Sequence, residues 1–181
     1  MDAVTGKSPM SSVDVTPYAD YHMIMVHDLG VPVDQWPSDP WDRSCLTGLL
    51  ATRRALEPTI WSRWGFLPVR LEAWASQPEL IAFGRHVVEA SLDIEGGAVC
   101  VAGWSEDPVA EAPTNASSVI VRVTWLGLPD DGYVVEDQEV VDGERLVVQF
   151  WPGALDAVRV IRQWPVWNGE ALRVLFNPLA D

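Results

Sequence analysis

The stretch His86 to Trp104, HVVEASLDIEGGAVCVAGW, constrains this chain more than any other. Val88, Ala90, Leu92 and Ile94 alternate with Glu89, Ser91 and Asp93. That is the period-two pattern of a strand with one face buried and one toward water. Gly96-Gly97 follows at once, and paired glycines reach the positive φ angles of a tight turn. Ala98 to Trp104 is apolar on both faces, as in a strand held between layers. Gly103 and the β-branched Val99 and Val101 disfavour a helix there. The stretch reads as a β-hairpin with further strands packed around it.

The rest of the chain supplies those strands. Tyr18 to Leu29 is an apolar run of strand length, ended by Gly30 and Pro32. Residues 1–17 are small and polar and read as a flexible lead-in. Residues 30–42 read as a loop pinned by Trp36 and Trp41. Cys45 to Leu56 fits a strand or a short helix equally. Phe66 to Trp74 reads as a strand with Leu67, Val69, Leu71 and Ala73 inward, and Pro68 places it at a sheet edge. Residues 105–117 read as a polar loop, longer than compact domains usually need. Val119, Val121, Val123 and Trp125 mark the next strand. After a second loop, Leu146, Val148 and Phe150 mark another within Arg145 to Trp151. Ala157 to Trp164 and Leu172 to Phe176 complete the set. The sum is a mainly β, single-domain antiparallel β-sandwich of about eight strands spanning 18–181. Trp104, Trp125 and Trp151 end their strands and read as core fillers.

Charge narrows the possible partners. The chain of 181 residues carries a formal net charge of −14, which repels nucleic acid and anionic membranes. The acid is concentrated: residues 86–144 hold thirteen Asp or Glu and one Arg. A solvated surface accounts for such a run, and so does a face for a basic partner. No window is apolar for the 18 or so residues that a membrane span needs. The first residues lack the pattern of a signal peptide. Two cysteines are too few for a disulfide framework, so a cytoplasmic protein is expected.

Catalytic and metal-binding patterns are missing. His22 and His27 stand at an odd offset and face opposite sides of one strand. His86 opens a strand and reads as a surface or internally satisfied histidine. Cys45 and Cys100 make no zinc spacing, and Cys100 sits in an apolar run where a thiol is inert. There is no GxSxG elbow, Walker loop or GxGxxG. Asp130-Asp131-Gly132 lacks the alternating ligands of a calcium loop. No cofactor, metal or catalytic residue is expected.

The segments HVVEASLDIEGGAVCVAGW, ASSVIVRVTWLGL and ERLVVQFWPG, with Asp20-Tyr21-His22 before them, resemble a family of short acidic bacterial proteins. The resemblance covers roughly residues 18–165. Met23 stands where that pattern usually has an aromatic residue. The family is distantly similar to the competence J proteins, which inhibit a partner nuclease, and to immunity proteins of contact-dependent toxins. The resemblance implies a binding protein and carries no catalytic residues across.

The leading expectation is therefore a protein inhibitor or immunity protein. It would meet a basic toxin or nuclease through Glu106, Asp107, Glu111, Asp130, Asp131, Glu136, Asp137 and Glu139, in the acidic loops 105–117 and 129–144. The alternative is a sandwich that binds a small molecule or carbohydrate through Trp36, Trp41, Trp61 and Trp64, which sit in turns.

Overall fold

A computed structural model describes residues 8–20, 22–31, 47–62, 65–103, 107–130 and 143–165. These contain thirteen strands: β1 (Ser11–Val15), β2 (Tyr18–Ala19), β3 (Met25–Asp28), β4 (Leu49–Ala51), β5 (Ala55–Pro58), β6 (Gly65–Phe66), β7 (Val69–Ala73), β8 (His86–Asp93), β9 (Ala98–Ala102), β10 (Ala110–Pro113), β11 (Ser118–Leu126), β12 (Arg145–Pro152) and β13 (Arg159–Arg162). One sheet has six strands in the order β1-β7-β12-β11-β8-β13, and a second has five in the order β10-β9-β3-β5-β4. A two-stranded ribbon pairs β2 with β6. The expected mainly β sandwich is what the chain forms. The strand number exceeds eight because the added strands are short. β1 falls in the stretch read as lead-in, β4 and β5 in the ambiguous one and β10 in a loop, while β2 and β6 lie at the starts of the runs Tyr18–Leu29 and Phe66–Trp74.

One apolar core joins the two sheets. Val119, Val121, Val123 and Trp125 of β11 share it with Val26, Leu56, Val99 and Val101 of the five-stranded sheet. The alternation in β7, β11 and β12 selects the inward residues correctly. Leu71, Val121, Val123 and Val148 are all fully buried. Trp125 fills the core and donates from Nε1 to the Thr59 carbonyl at 2.8 Å, while Trp151 is buried on the other face of the sheet, under the Arg122 guanidinium.

The central expectation of a hairpin is corrected. β8 pairs with β11 and β13, whereas β9 pairs with β10 and β3. The chain therefore crosses from one sheet to the other at residues 94–97, and the two arms face each other across the core. Both glycines serve this arch. A Cβ on Gly96 would lie 1.5 Å from the Leu29 carbonyl oxygen, and Gly97 has φ +80°, a region that costs other residues about 1–2 kcal/mol.

Four further readings change. Ser11–Val15, inside the stretch read as a flexible lead-in, forms edge strand β1, because Val13 and Val15 pack on the core. Tyr18 to Leu29 is broken, since His22 takes φ +67° and ends the extended backbone between β2 and β3. Within Cys45 to Leu56, read as strand or short helix, Thr47 is helical and the chain then forms two strands, β4 and β5, which pair antiparallel. β7 is an inner strand between β1 and β12. Pro68 precedes β7, and its carbonyl accepts from Leu146 N at 3.0 Å, so the missing proline N–H interrupts no ladder. β7 and β12 run parallel, whereas the other strand pairs among the described residues are antiparallel. The strand expected over Leu172–Phe176 lies outside the described residues.

Candidate functional site

The acidic segments leave the sandwich at one end. β8 runs toward the arch and β9 runs away from it, so the chain leaves β9 at the end remote from the arch. Val109 N donates to the Val101 carbonyl there, at 2.8 Å. β11 begins opposite Asp93, near the arch, and ends opposite His86. The loop after it therefore opens at the same remote end. Its base is narrow: a Cβ on Gly127 would lie 1.8 Å from the Gly143 carbonyl oxygen, and Gly127 has φ +72°. Glu144 fastens the closing side. Its buried carboxylate accepts from Trp61 N at 2.5 Å, from Ser62 N at 2.8 Å and from Ser62 Oγ at 2.5 Å. Burial pushes this carboxyl above the ordinary range, and the three donors oppose that shift.

Of the expected partner-binding residues, Asp107, Glu111 and Asp130 are exposed. Glu106, Asp131, Glu136, Asp137 and Glu139 lie outside the described residues. Asp107 and Asp130 sit at the remote end. Asp130 forms an ion pair with Arg85 at 2.5 Å. The polar loop expected over 105–117 is partly strand, because Ala110–Pro113 forms β10 on the edge of the five-stranded sheet. Glu111 points outward from that edge, opposite Cys100.

The tryptophan reading loses one candidate. Trp61 is only 3% exposed and meets Trp164 edge-on at 4.9 Å. Trp36, Trp41 and Trp64 lie outside the described residues.

A polar row missed in the sequence crosses the outer face of the six-stranded sheet. Ser12, Glu72, Gln149, Arg122, Glu89 and Arg159 are successive cross-strand partners, one on each strand. Gln149 Nε2 donates to Glu72 Oε2 at 2.9 Å. Arg122 Nε donates to Glu89 Oε1 at 2.9 Å, and Arg159 takes the other Glu89 oxygen. Glu89 reads as water-facing by alternation, yet it is fully buried. Two guanidiniums compensate its charge, as burial requires. Arg122 Nη1 also donates to the carbonyls of Pro78, at 3.0 Å, and Glu79, at 3.3 Å. The segment before β8 is thus laid over the sheet's outer face. Only the register between strands reveals this row.

The titratable groups give no catalytic arrangement among the described residues. His86 is buried with its Nε2 2.7 Å from the Thr47 carbonyl, and its Nδ1 accepts from Trp164 N at 3.2 Å. Desolvation lowers its pKa to about 4, so it is a neutral structural ring. Burial drives the Cys100 thiol up to about 12, where it is not a nucleophile. Burial alone raises Glu57 to about 7. No group of three or more His, Cys, Asp or Glu among the described residues is placed to hold a metal ion. No helix among them is long and apolar enough to cross a membrane.

No family model matches the chain, and no curated protein matches it. Solved structures do. ComJ from Bacillus subtilis, described as the inhibitor of the DNA degrading activity of NucA, aligns over 81% of this chain and 98% of its own, with TM-score 0.57 and 10% identity. The chain shares its fold with ComJ. The product of crocagin biosynthetic gene J aligns over 79% of this chain and 99% of its own, with TM-score 0.50 and 12% identity. The resemblance to the competence J proteins is thereby borne out as a distant similarity of fold. In both alignments the part of this chain left over is about a fifth.

Proposed function

We propose that this protein is an inhibitor or immunity protein that captures a basic partner, a nuclease or another cationic toxin, and neutralises it in the cytoplasm. The observation that carries the reading is the fold shared with a nuclease inhibitor along almost the whole of that inhibitor's chain. The charge distribution supports it. Of the thirteen acids within residues 86–144, Glu89 and Glu144 are buried and Asp93 and Glu95 lie at the arch, while the other nine fall in the two acidic segments, whose bases stand at the end remote from the arch. Asp107, Glu111 and Asp130, with Glu106, Asp131, Glu136, Asp137 and Glu139, would form the acidic face. Such a face accelerates encounter with a cation-rich surface and confers salt sensitivity. Occupying the partner's active site would then block it, with no cofactor, metal or bond-making step required of this chain.

The test is titration of the purified protein into the nuclease activity of products of the adjacent genes. Stoichiometric inhibition that weakens as salt rises is the expected result. If no neighbouring product is toxic alone, and none binds at low salt, the proposal fails.

A further inference from the structure

We propose that residues 78–84 and β13 form a single flap, which opens from the outer face of the six-stranded sheet while the rest of the sandwich stays folded. The proposal needs no partner and stands apart from the inhibitor reading. The segment before β8 is fixed at both ends. Trp74 N donates to the Phe150 carbonyl and Arg85 N to the Trp125 carbonyl, each at 2.8 Å. Between these points apolar packing does little to hold it. Phe83 is 75% exposed and Leu80 44%, so packing falls to the buried Pro78 and the half-buried Ile81. The main chain is held instead. Arg122 of β11 donates to the carbonyls of Pro78 and Glu79. Arg162 of β13 donates to those of Ile81, at 3.4 Å, Ala82, at 3.0 Å, and Gly84, at 2.5 Å. A segment with little apolar burial, held by polar contacts near the surface, belongs to the least stable part of a fold.

Those contacts tie the segment to β13. Among the described residues β13 is an edge strand paired with β8 alone, and its register shifts between Val160 and Arg162. Arg159, Val160 and Ile161 are exposed. When β13 leaves, Arg162 leaves with it, and the carbonyls of Ile81, Ala82 and Gly84 lose their donor. When the segment lifts, the Arg162 guanidinium loses the same acceptors. Glu89 links the two a second time, because its buried carboxylate joins Arg159 of β13 to Arg122 beneath the segment. Groups that share one network in this way do not open independently. Under the segment lies Thr124. A Cβ on Gly84 would stand 2.6 Å from Thr124 Cγ2. Thr124 is fully buried, and its Oγ1 has no hydrogen-bond partner among the described residues. Opening gives that hydroxyl water to bond with, which lowers the free energy of the open form. The open form bares Thr124, Arg122 and Glu89 to solvent.

The experiment follows the full-length protein in urea below its unfolding transition. Amide hydrogen exchange in β13 reports one half of the flap. Thiol labelling of Thr124→Cys, with Cys45→Ser and Cys100→Ala removing the native thiols, reports the other. Both probes are expected to give one opening free energy and one urea slope, each smaller than those of the β11 and β12 amides. Two variants then test the coupling from opposite sides. Gly84→Ala strains the segment and is read in β13. Arg159→Met removes a contact of β13 and is read by labelling at Thr124→Cys. Each is expected to speed opening on the far side at least tenfold, with β11 and β12 exchange unchanged. Acceleration confined to the mutated side overturns the proposal. A variant that also speeds β11 and β12 has loosened the whole sheet, and the other variant then decides. If both do so, β13 exchange in the unmutated protein decides. Exchange there that follows the β11 and β12 curve overturns the proposal, because nothing then opens short of global unfolding.

Discussion

The carboxylate of Asp28, at the end of β3, accepts from the backbone N–H of Gly96 at 2.8 Å, tying the five-stranded sheet to the arch. The same side chain takes Glu95 N at 3.1 Å and Arg54 Nη2 at 2.6 Å, and it is wholly buried. A carboxylate is suited to this place because it accepts several donors at once. Asp28→Ala strands two backbone donors and leaves Arg54 without its closest partner. A loss of about 3 kcal/mol is expected in urea unfolding, with Asp28→Asn losing less. Equal stability of Asp28→Ala and wild type would refute the assignment.

The two arch glycines are expected to respond differently. Gly96→Ala drives a methyl into the Leu29 backbone, which only a shift of the main chain relieves. Gly97→Ala meets nothing within 4 Å and incurs only the cost of a positive φ, about 1–2 kcal/mol. Thermal melts should rank wild type above Gly97→Ala and Gly97→Ala above Gly96→Ala. The reverse order of the two variants would contradict the close approach.

His86 and Glu57 make opposite contributions to stability as pH changes. The His86 pKa falls from an unfolded value of 6.5 to about 4. The unfolded chain therefore binds the proton first, and stability is lost as pH drops from about 6.5 toward 4. Glu57 rises from 4.5 to about 7. Its folded form binds the proton first, so stability is lost as pH climbs from about 4.5 to 7. Between 4.5 and 6.5 the two slopes oppose each other. Glu57→Gln should exceed wild type in stability at pH 8, by about 1–3 kcal/mol, and the advantage should vanish near pH 4. Denaturant midpoints of both proteins across pH 4–8 test this. A difference independent of pH would rule Glu57 out.

Arg122→Met removes the centre of the polar row. Glu89 keeps only Arg159, and the carbonyls of Pro78 and Glu79 lose their donor. A loss of about 3–5 kcal/mol is expected, together with faster amide exchange in 77–85 than elsewhere in the sheet. Unchanged exchange across 77–85 would show that the segment is held by something else.

Much of the sandwich was legible in the sequence. The alternation in 119–125 and 145–151 assigns each inward residue, because burial of one face imposes period two directly. Pairing was not legible to the same degree. Periodicity states which face of β8 is buried and says nothing of which strand lies beside it. A Gly-Gly step serves an arch as readily as a hairpin. The polar row was hidden for a related reason. Glu89 and Arg122 are each ordinary water-facing residues in their own strands, and only the register that sets them side by side makes their burial tolerable. The acidic residues of the proposed face could be named from charge alone.

The parallel pairing of β7 with β12 has a consequence for how the chain acquires its shape. Glu72 and Gln149, joined across that pair, are 77 residues apart. A parallel neighbour cannot be reached by a tight turn, so β1 and β7 form an unattached two-stranded piece until β12 has been synthesised. Closing so long a loop comes late and slowly. On the ribosome β1 and β7 must therefore wait for β12 before they join the six-stranded sheet, whereas β3, β4 and β5 can pair among themselves.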